Sequence, residues 1–280
     1  MHTMKSAITI CLVPEARQGP FVYHTTATDG GLAAACHTAA ELGFDAVEIF
    51  PESAEAFPVA QLTRLLAEHG LTVAAVGTGA GWVKHKLHLC HADASMRAAA
   101  REFIAGIIDV AGQFGAPAII GSMQGRCEGD LSRDEALDHL ASALDVLGAR
   151  AAGHGQVLLY EPLNRYETNL FNRQGDAAAW LESRGFAHVR LLCDLFHMNI
   201  EEADIAATLV AAGRWVGHVH WADSNRQAMG LGHTDTGPVV AALRGIGYEG
   251  FLSAEVFPLP TPMDAARQTI ASLGSRIKTV

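Results

Sequence analysis

Four stretches decide how this chain folds: Val157-Leu-Leu-Tyr-Glu161, Val189-Arg-Leu-Leu-Cys-Asp194, Val216-Gly-His-Val-His220 and Phe251-Leu-Ser-Ala-Glu-Val256. Each is short, rich in β-formers and apolar along most of its length, the pattern of a strand covered on both faces by helices. Four earlier runs read the same way: Ala7 to Val13, Ala46 to Phe50, Leu71 to Gly77 and Ala116 to Gly121. Helical periodicity fills the intervals, over Gly31 to Leu42, Val59 to His69, Ser95 to Phe114, Arg133 to Ala152, Gly175 to Ser183, Glu201 to Ala212 and Pro238 to Ile246, with a last helix from Pro262 to Ile277. Ser132 and Glu135 have the spacing of a capping box, and glycines such as Gly70, Gly153 and Gly185 close helices where a left-handed residue costs least. Eight βα units without a linker predict a closed (β/α)8 barrel of the α/β class, a TIM barrel, with residues 1–280 as one domain. A doubly wound open sheet is the alternative, but no GxGxxG turn follows an early strand.

The 280 residues include 30 Asp and Glu against 20 Lys and Arg, a formal charge of -10. Such a surface repels phosphate backbones and anionic lipid, so neither nucleic acid nor a membrane is expected as partner. No segment approaches the roughly 20 apolar residues of a membrane span. The apolar run after Lys5 stops at Pro14-Glu-Ala-Arg17 without a cleavage pattern, so it reads as the first strand. Cys11, Cys36, Cys90, Cys127 and Cys193 show no CxxC spacing, which argues against a zinc ribbon or disulfide framework and fits a reducing cytoplasm.

In such a barrel the active site lies at the carboxyl ends of the strands. Strand five ends in Glu161, strand six in Asp194, strand seven in His220, and Glu255 stands just before the end of strand eight. Their spacing is close to one βα unit, about 31 residues when about 250 are divided by eight. Four consecutive strands therefore aim one ligand-type side chain each at one axial point. Singly, each has a plain alternative: an acidic strand end caps the next helix, and a strand histidine is a satisfied core group. Together, three carboxylates without a cation would repel one another toward protonation, and a divalent metal resolves the conflict. Three oxygen donors and one imidazole, with no thiolate, suit one hard or borderline ion, with Mn2+ preferred and Mg2+ or Co2+ as alternatives.

The stretches Glu161-Pro-Leu-Asn-Arg-Tyr-Glu167, Asp194-Leu-Phe-His197, His220-Trp-Ala-Asp223-Ser-Asn-Arg226, Gly232-His-Thr-Asp235 and Gly250-Phe-Leu-Ser-Ala-Glu255 resemble the xylose-isomerase-like sugar phosphate isomerase/epimerase family. Within it they are most similar to the ketose 3-epimerase branch, the D-tagatose and D-psicose 3-epimerases. The matching motifs run from about Tyr160 to Pro258, while the first half agrees in strand order alone. The resemblance implies that Glu161, Asp194, His220 and Glu255 bind the metal. It also implies that Glu161 and Glu255 form the catalytic acid/base pair, and that Glu167, His197 and Arg226 hold oxygens at the carbonyl end of a sugar. The chemistry agrees with these roles. A proton beside a ketone is weakly acidic, so its removal needs a stabilised enediolate, and epimerisation needs a base on one face and an acid on the other.

The expected reaction is epimerisation of a ketose or keto-sugar acid at the carbon next to the ketone. An aldose-ketose isomerase of the hydroxypyruvate type and a keto-polyol dehydratase use the same enediolate and stay as alternatives. An AP-endonuclease-like hydrolase is more remote, since it calls for a three-ion cluster and a basic path for phosphates. His197 falls in the loop above the barrel, where a surface histidine is the plain reading, and Arg226 reads otherwise as a solvated charge paired with Asp223. His218, two residues before His220, points to the same barrel face but deeper and reads as a core or supporting group. Glu48 ends strand two and either reaches the pocket or is structural; Trp82 and His85 follow strand three in a glycine-rich segment that either walls the sugar or connects elements. The resemblance also implies a homodimer or homotetramer.

Overall fold

Strand β1 (Lys5–Cys11) pairs in parallel with β3 (Ala46–Phe50) on one side and β9 (Phe251–Ala254) on the other, and that second pairing closes the sheet. Between them run β4 (Thr72–Gly77), β5 (Ala118–Ile120), β6 (Leu158–Tyr160), β7 (Val189–Asp194) and β8 (Val216–His220), each parallel to its neighbour. Eight parallel strands in sequence order make a (β/α)8 barrel. The computed structural model describes residues 3–25 and 30–277; residues 1–2, 26–29 and 278–280 of the expected single domain lie outside the described residues. A short extra strand, β2 (Tyr23–His24), pairs with the outer end of β1 and ties the β1 loop across the barrel mouth.

The helices are α1 (Gly31–Leu42), α2 (Val59–His69), α3 (Ala80–His85), α4 (Ala94–Gln113), α5 (Arg133–Gly153), α6 (Gln174–Arg184), α7 (Leu195–Glu201), α8 (Ile205–Ala212), α9 (Thr236–Gly245) and α10 (Pro262–Ile277). Strand alternation divides the apolar side chains between two cores. Ile8, Ile10, Val47, Ile49, Leu158 and Tyr160 face outward and pack with helical residues such as Leu62, Ile104 and Leu140. The opposite faces of β4 to β7 supply Ala75, Ile119, Leu159 and Leu192, a separate apolar cluster inside the barrel. The other half of the barrel interior holds polar side chains beside a small apolar cluster of Ala7, Ala46 and Ala74: Thr9, Glu48, His218 and Ser253 are all buried there. Buried polar groups demand partners, so this half of the barrel carries the chemistry.

Three local readings change. The helix expected from Glu201 to Ala212 starts only at Ile205, as α8, and a separate helix, α7, precedes it: the Asp194 carboxylate accepts the amide N–H of Phe196 and starts α7, and Asp204 accepts that of Ala207 and starts α8. Two N-caps so close in sequence cannot sit within one helix, because each takes a carboxylate with non-helical backbone. His197, expected in a loop, is therefore on α7 and buried. Trp82 and His85, read as part of a glycine-rich loop after strand three, belong to α3. At the end of α5 the left-handed turn falls at Gly155 (φ 71°) and not at Gly153, which stays helical. Among the described residues no helix is long and apolar enough to cross a membrane.

The capping box is formed as expected: the Ser132 hydroxyl accepts from the Glu135 amide at 3.3 Å, and the Glu135 carboxylate accepts from the Ser132 amide at 3.0 Å. Replacing Ser132 by Ala is expected to lower the unfolding free energy by about 1 kcal/mol, read from the urea midpoint at unchanged slope.

Candidate active site

The ends of β6, β7, β8 and β9 bring Glu161, Asp194, His220 and Glu255 to one point, all buried. One ligand atom from each lies within 4.8 Å of the other three. His220 Nδ1 is the hub, 3.7 Å from a Glu161 oxygen, 3.8 Å from an Asp194 oxygen and 3.7 Å from a Glu255 oxygen. Two donors bonded to one ion at about 2.1 Å stand about 3.4 Å apart at the tetrahedral angle and about 4.2 Å apart in trans, so these separations fit a shared cation. Three of the facing atoms, Glu161 Oε1, Asp194 Oδ2 and His220 Nδ1, are buried without a hydrogen-bond partner. Orphaned acceptors of this kind, converging on one spot, are what a coordination site looks like before its ion is considered. Glu161 fits tightly because residue 121 is glycine: a Cβ there would fall 2.5 Å from Glu161 Oε2.

The electrostatics follow from the crowding. Burial, reinforced by Glu255 and Asp194, pushes the Glu161 carboxyl well above its usual range against the pull of His220. Burial also raises Glu255, though Arg226 and His220 oppose it. For Asp194 burial is outweighed by His197, His220 and Arg226, which hold it down at about 2.

Glu48, the residue the sequence left open, reaches across the barrel from β3 and takes one imidazole on each oxygen: His218 Nε2 at 2.7 Å and His220 Nε2 at 2.9 Å. Glu48 is wholly buried, and its two imidazole partners keep it ionised despite that burial. An ionised carboxylate only accepts, so His220 carries a proton on Nε2 and turns Nδ1 toward the cluster; against the effect of burial, Glu48 and Glu255 hold the imidazole well above its usual pKa, so Nδ1 gives up a proton when it coordinates a cation. His218 thus supports the site without facing it, as its position two residues deeper predicted.

His197 stands over the same point, its Nε2 buried without a hydrogen-bond partner, 3.6 Å from Asp194 and 3.8 Å from Glu161. Its Nδ1 accepts the backbone N–H of Asn164 at 3.3 Å, with the Asn164 amide nitrogen at 2.7 Å. Burial lowers its pKa. The ring is therefore neutral with its proton on Nε2, a donor aimed into the site. Asn164 Nδ2 also donates to Glu167 at 2.9 Å and so joins the two candidate sugar-binding groups. Arg226 completes the wall: Nη2 lies 2.6 Å from Glu255 and 3.8 Å from Asp194, Nη1 lies 3.6 Å from Glu167, and the guanidinium sits 4.8 Å over the Phe196 ring. Arg226 is not paired with Asp223, whose carboxylate is taken by backbone N–H groups of its own loop.

A cavity of about 330 Å³ opens above the cluster, bordered by Glu161, Glu167, His220, Arg226 and Glu255 at one end. Its far wall is mainly apolar, with Val13, Phe21, Phe50, Trp82 and Val83, and Glu15 among them. Trp82 therefore reaches the pocket, whereas His85 packs edge-on against Phe103. Asn164, Gln124 and Phe196 were not legible as site residues. Gln124 donates to the Glu161 carbonyl at 2.9 Å and accepts from Tyr160 at 2.7 Å, contacts that no spacing in sequence announces.

A closed parallel barrel whose strand ends converge three carboxylates and an imidazole on a cavity defines the class: a TIM-barrel enzyme with a candidate divalent-metal site. The sequence profile described as "Xylose isomerase-like TIM barrel" matches residues 36–275, and the chain belongs to that family. It is 31% identical over 223 residues to an L-ribulose 3-epimerase of Methylomonas sp. (strain DH-1), covering 78% of this chain and 76% of the relative. It is 30% identical over 224 residues to a D-psicose 3-epimerase of Agrobacterium fabrum, with the same two coverages. The crystal structure of a D-allulose 3-epimerase from Methylomonas sp. in complex with D-allulose superposes with a TM-score of 0.83 at 25% identity, over 99% of this chain and 98% of that one.

Two outcomes are expected. Because Glu161 and Glu255 are both raised in the ion-free protein, they keep protons at a pH where a free carboxyl has lost them, so a divalent cation entering the cluster displaces protons. Affinity should therefore increase with pH above the ordinary carboxylate range, and calorimetry in buffers of different ionisation enthalpy should register proton release. Glu48→Gln leaves a single acceptor for two imidazole N–H groups, and cation affinity, measured by competition with a chelator, should fall about 10- to 100-fold.

Proposed function

We propose that this protein is a divalent-metal-dependent ketose 3-epimerase, acting on an uncombined sugar or keto-sugar acid at the carbon beside the ketone. The observation that carries this reading is the set of unpartnered donors of Glu161, Asp194 and His220, joined by Glu255 at the floor of a cavity that also receives Glu167 and Arg226. The names of the relatives, L-ribulose and D-psicose 3-epimerases among them, support the reaction type. Bound by these four residues, a cation supplies Lewis acidity toward the substrate's carbonyl end. Manganese is the preferred ion, since the donor set is oxygen-rich and contains no thiolate.

The chain's own residues then divide the work. Arg226 and the Nε2–H of His197 donate to oxygens at the carbonyl end, and Glu167, steadied by Asn164, accepts from a hydroxyl. With the sugar so fixed, one of Glu161 and Glu255 removes the proton from carbon 3 to leave a planar enediolate, and the other delivers a proton to that carbon from the opposite face. A single base would restore the starting stereoisomer. The apolar far wall accommodates the rest of the sugar without reading each hydroxyl. The five free cysteines favour a reducing compartment such as the cytoplasm, and the homodimer or homotetramer expected from the family belongs to the same proposal.

Incubating Mn2+-loaded protein with a ketose panel in deuterium oxide, and locating the exchanged carbon by NMR, tests the reaction. Deuterium at carbon 3 together with the 3-epimer is expected; exchange at carbon 1 with aldose formation, or loss of water, would replace it with the isomerase or the dehydratase. Glu161→Gln and Glu255→Gln should each reduce exchange by about 100-fold or more while circular dichroism stays unchanged.

A further inference from the structure

The loop that presents Arg226 is organised by one buried carboxylate. Asp223 Oδ1 accepts the N–H groups of Ser224 (2.7 Å) and Thr234 (3.0 Å), and Oδ2 accepts those of Gly230 (2.7 Å) and Gly232 (2.8 Å). The residue is fully buried, and a Cβ at position 232 would fall 2.4 Å from Oδ1, so the cradle requires that glycine. The Asp223 backbone accepts the Arg226 N–H at 2.8 Å and donates to the Gln227 carbonyl at 3.0 Å, above an antiparallel bridge between Ala222 and Ala228. This is a tight hairpin turn, and Arg226 occupies its left-handed position, at φ 58°, where such turns commonly carry glycine. An arginine stands there against local backbone preference, and its guanidinium is the group lying 2.6 Å from Glu255.

We infer that Asp223 is a positioning residue. By gathering four N–H groups from residues 224–234 onto one carboxylate, it holds the turn in the shape that keeps Arg226 left-handed and directs its guanidinium at Glu255 and the cavity. The inference rests on the proposed role of Arg226 as a substrate contact. Asp223 neither lines the cavity nor belongs to the metal-site cluster, and it meets the lining through its backbone bond to Arg226, so any effect on the reaction must pass through the loop it shapes.

The test is a double-mutant cycle on the metal-loaded enzyme with a ketose substrate. Asp223→Asn turns one acceptor into a donor facing N–H groups; kcat/KM should fall about 10- to 100-fold, with the same division between kcat and KM as Arg226→Ala. In the Arg226→Ala background, adding Asp223→Asn should change kcat/KM by less than about twofold, because the side chain it positions is already gone. Effects that simply multiply would overturn the inference. If Arg226→Ala itself leaves kcat/KM unchanged, the reading of Arg226 fails instead, and that result is distinct from a multiplicative cycle. Should Asp223→Asn fold poorly, Gly232→Ala presses on the same carboxylate from outside and is carried through the same cycle to the same criteria.

Discussion

Like charges brought together out of water must be neutralised, and this barrel brings three carboxylates together at the mouth of its polar half. The remainder of the site can be read as a response to that constraint. Arg226 lies against Glu255 and close to Asp194, His220 stands between all three acids, and Glu48 fixes which nitrogen of His220 meets them. Even with these partners, three acceptor or lone-pair atoms stay unsatisfied, and burial holds Glu161 toward its protonated form. A divalent cation is the economical remedy, and the same positive charge is what a developing enediolate oxygen needs.

The layout of the barrel allows this concentration of charge without destabilising the whole. Strands β4 to β7 line the interior with Ala75, Ile119, Leu159 and Leu192, a dry filling that needs no hydrogen bonds. Below the cluster the polar groups gather in the sector where β1, β3, β8 and β9 meet, and two of them are satisfied across the barrel: Thr9 donates to the Ala254 carbonyl, and Glu48 spans to two histidines. An acidic cluster is thus mounted on a stiff floor.

The sequence revealed those features that depend on periodicity. Eight apolar runs separated by helical patterns predicted eight barrel strands, and the residues at or next to the ends of the last four runs are the four cluster residues, because a barrel turns strand number into position around an axis. What stayed illegible depends on contacts between segments far apart in the chain. Glu48 could be read as structural or functional until His218 and His220, some 170 residues away, were placed against it. Asn164 looked like any loop asparagine until α7 brought His197 to it. That helix was missed because the signal that starts it is the side chain of Asp194, already assigned to other work. The extra helix α3 was hidden by Gly81 and by Gly77 and Gly79 just before it, which sequence propensity assigns to a connector.

Asp194 has one oxygen at the amide of Phe196, where it starts α7, and the other among the orphaned atoms of the cluster. The helix so begun delivers His197 and the Phe196 ring beneath the guanidinium. Position 194 is therefore under two independent vetoes during evolution: a side chain one methylene longer would overshoot the cap, and a neutral amide would present a hydrogen to whatever positive charge the cluster gathers. Lineages drifting toward new sugars on this scaffold have freedom in the far wall and its loops, but at this junction architecture and reactivity can only change together.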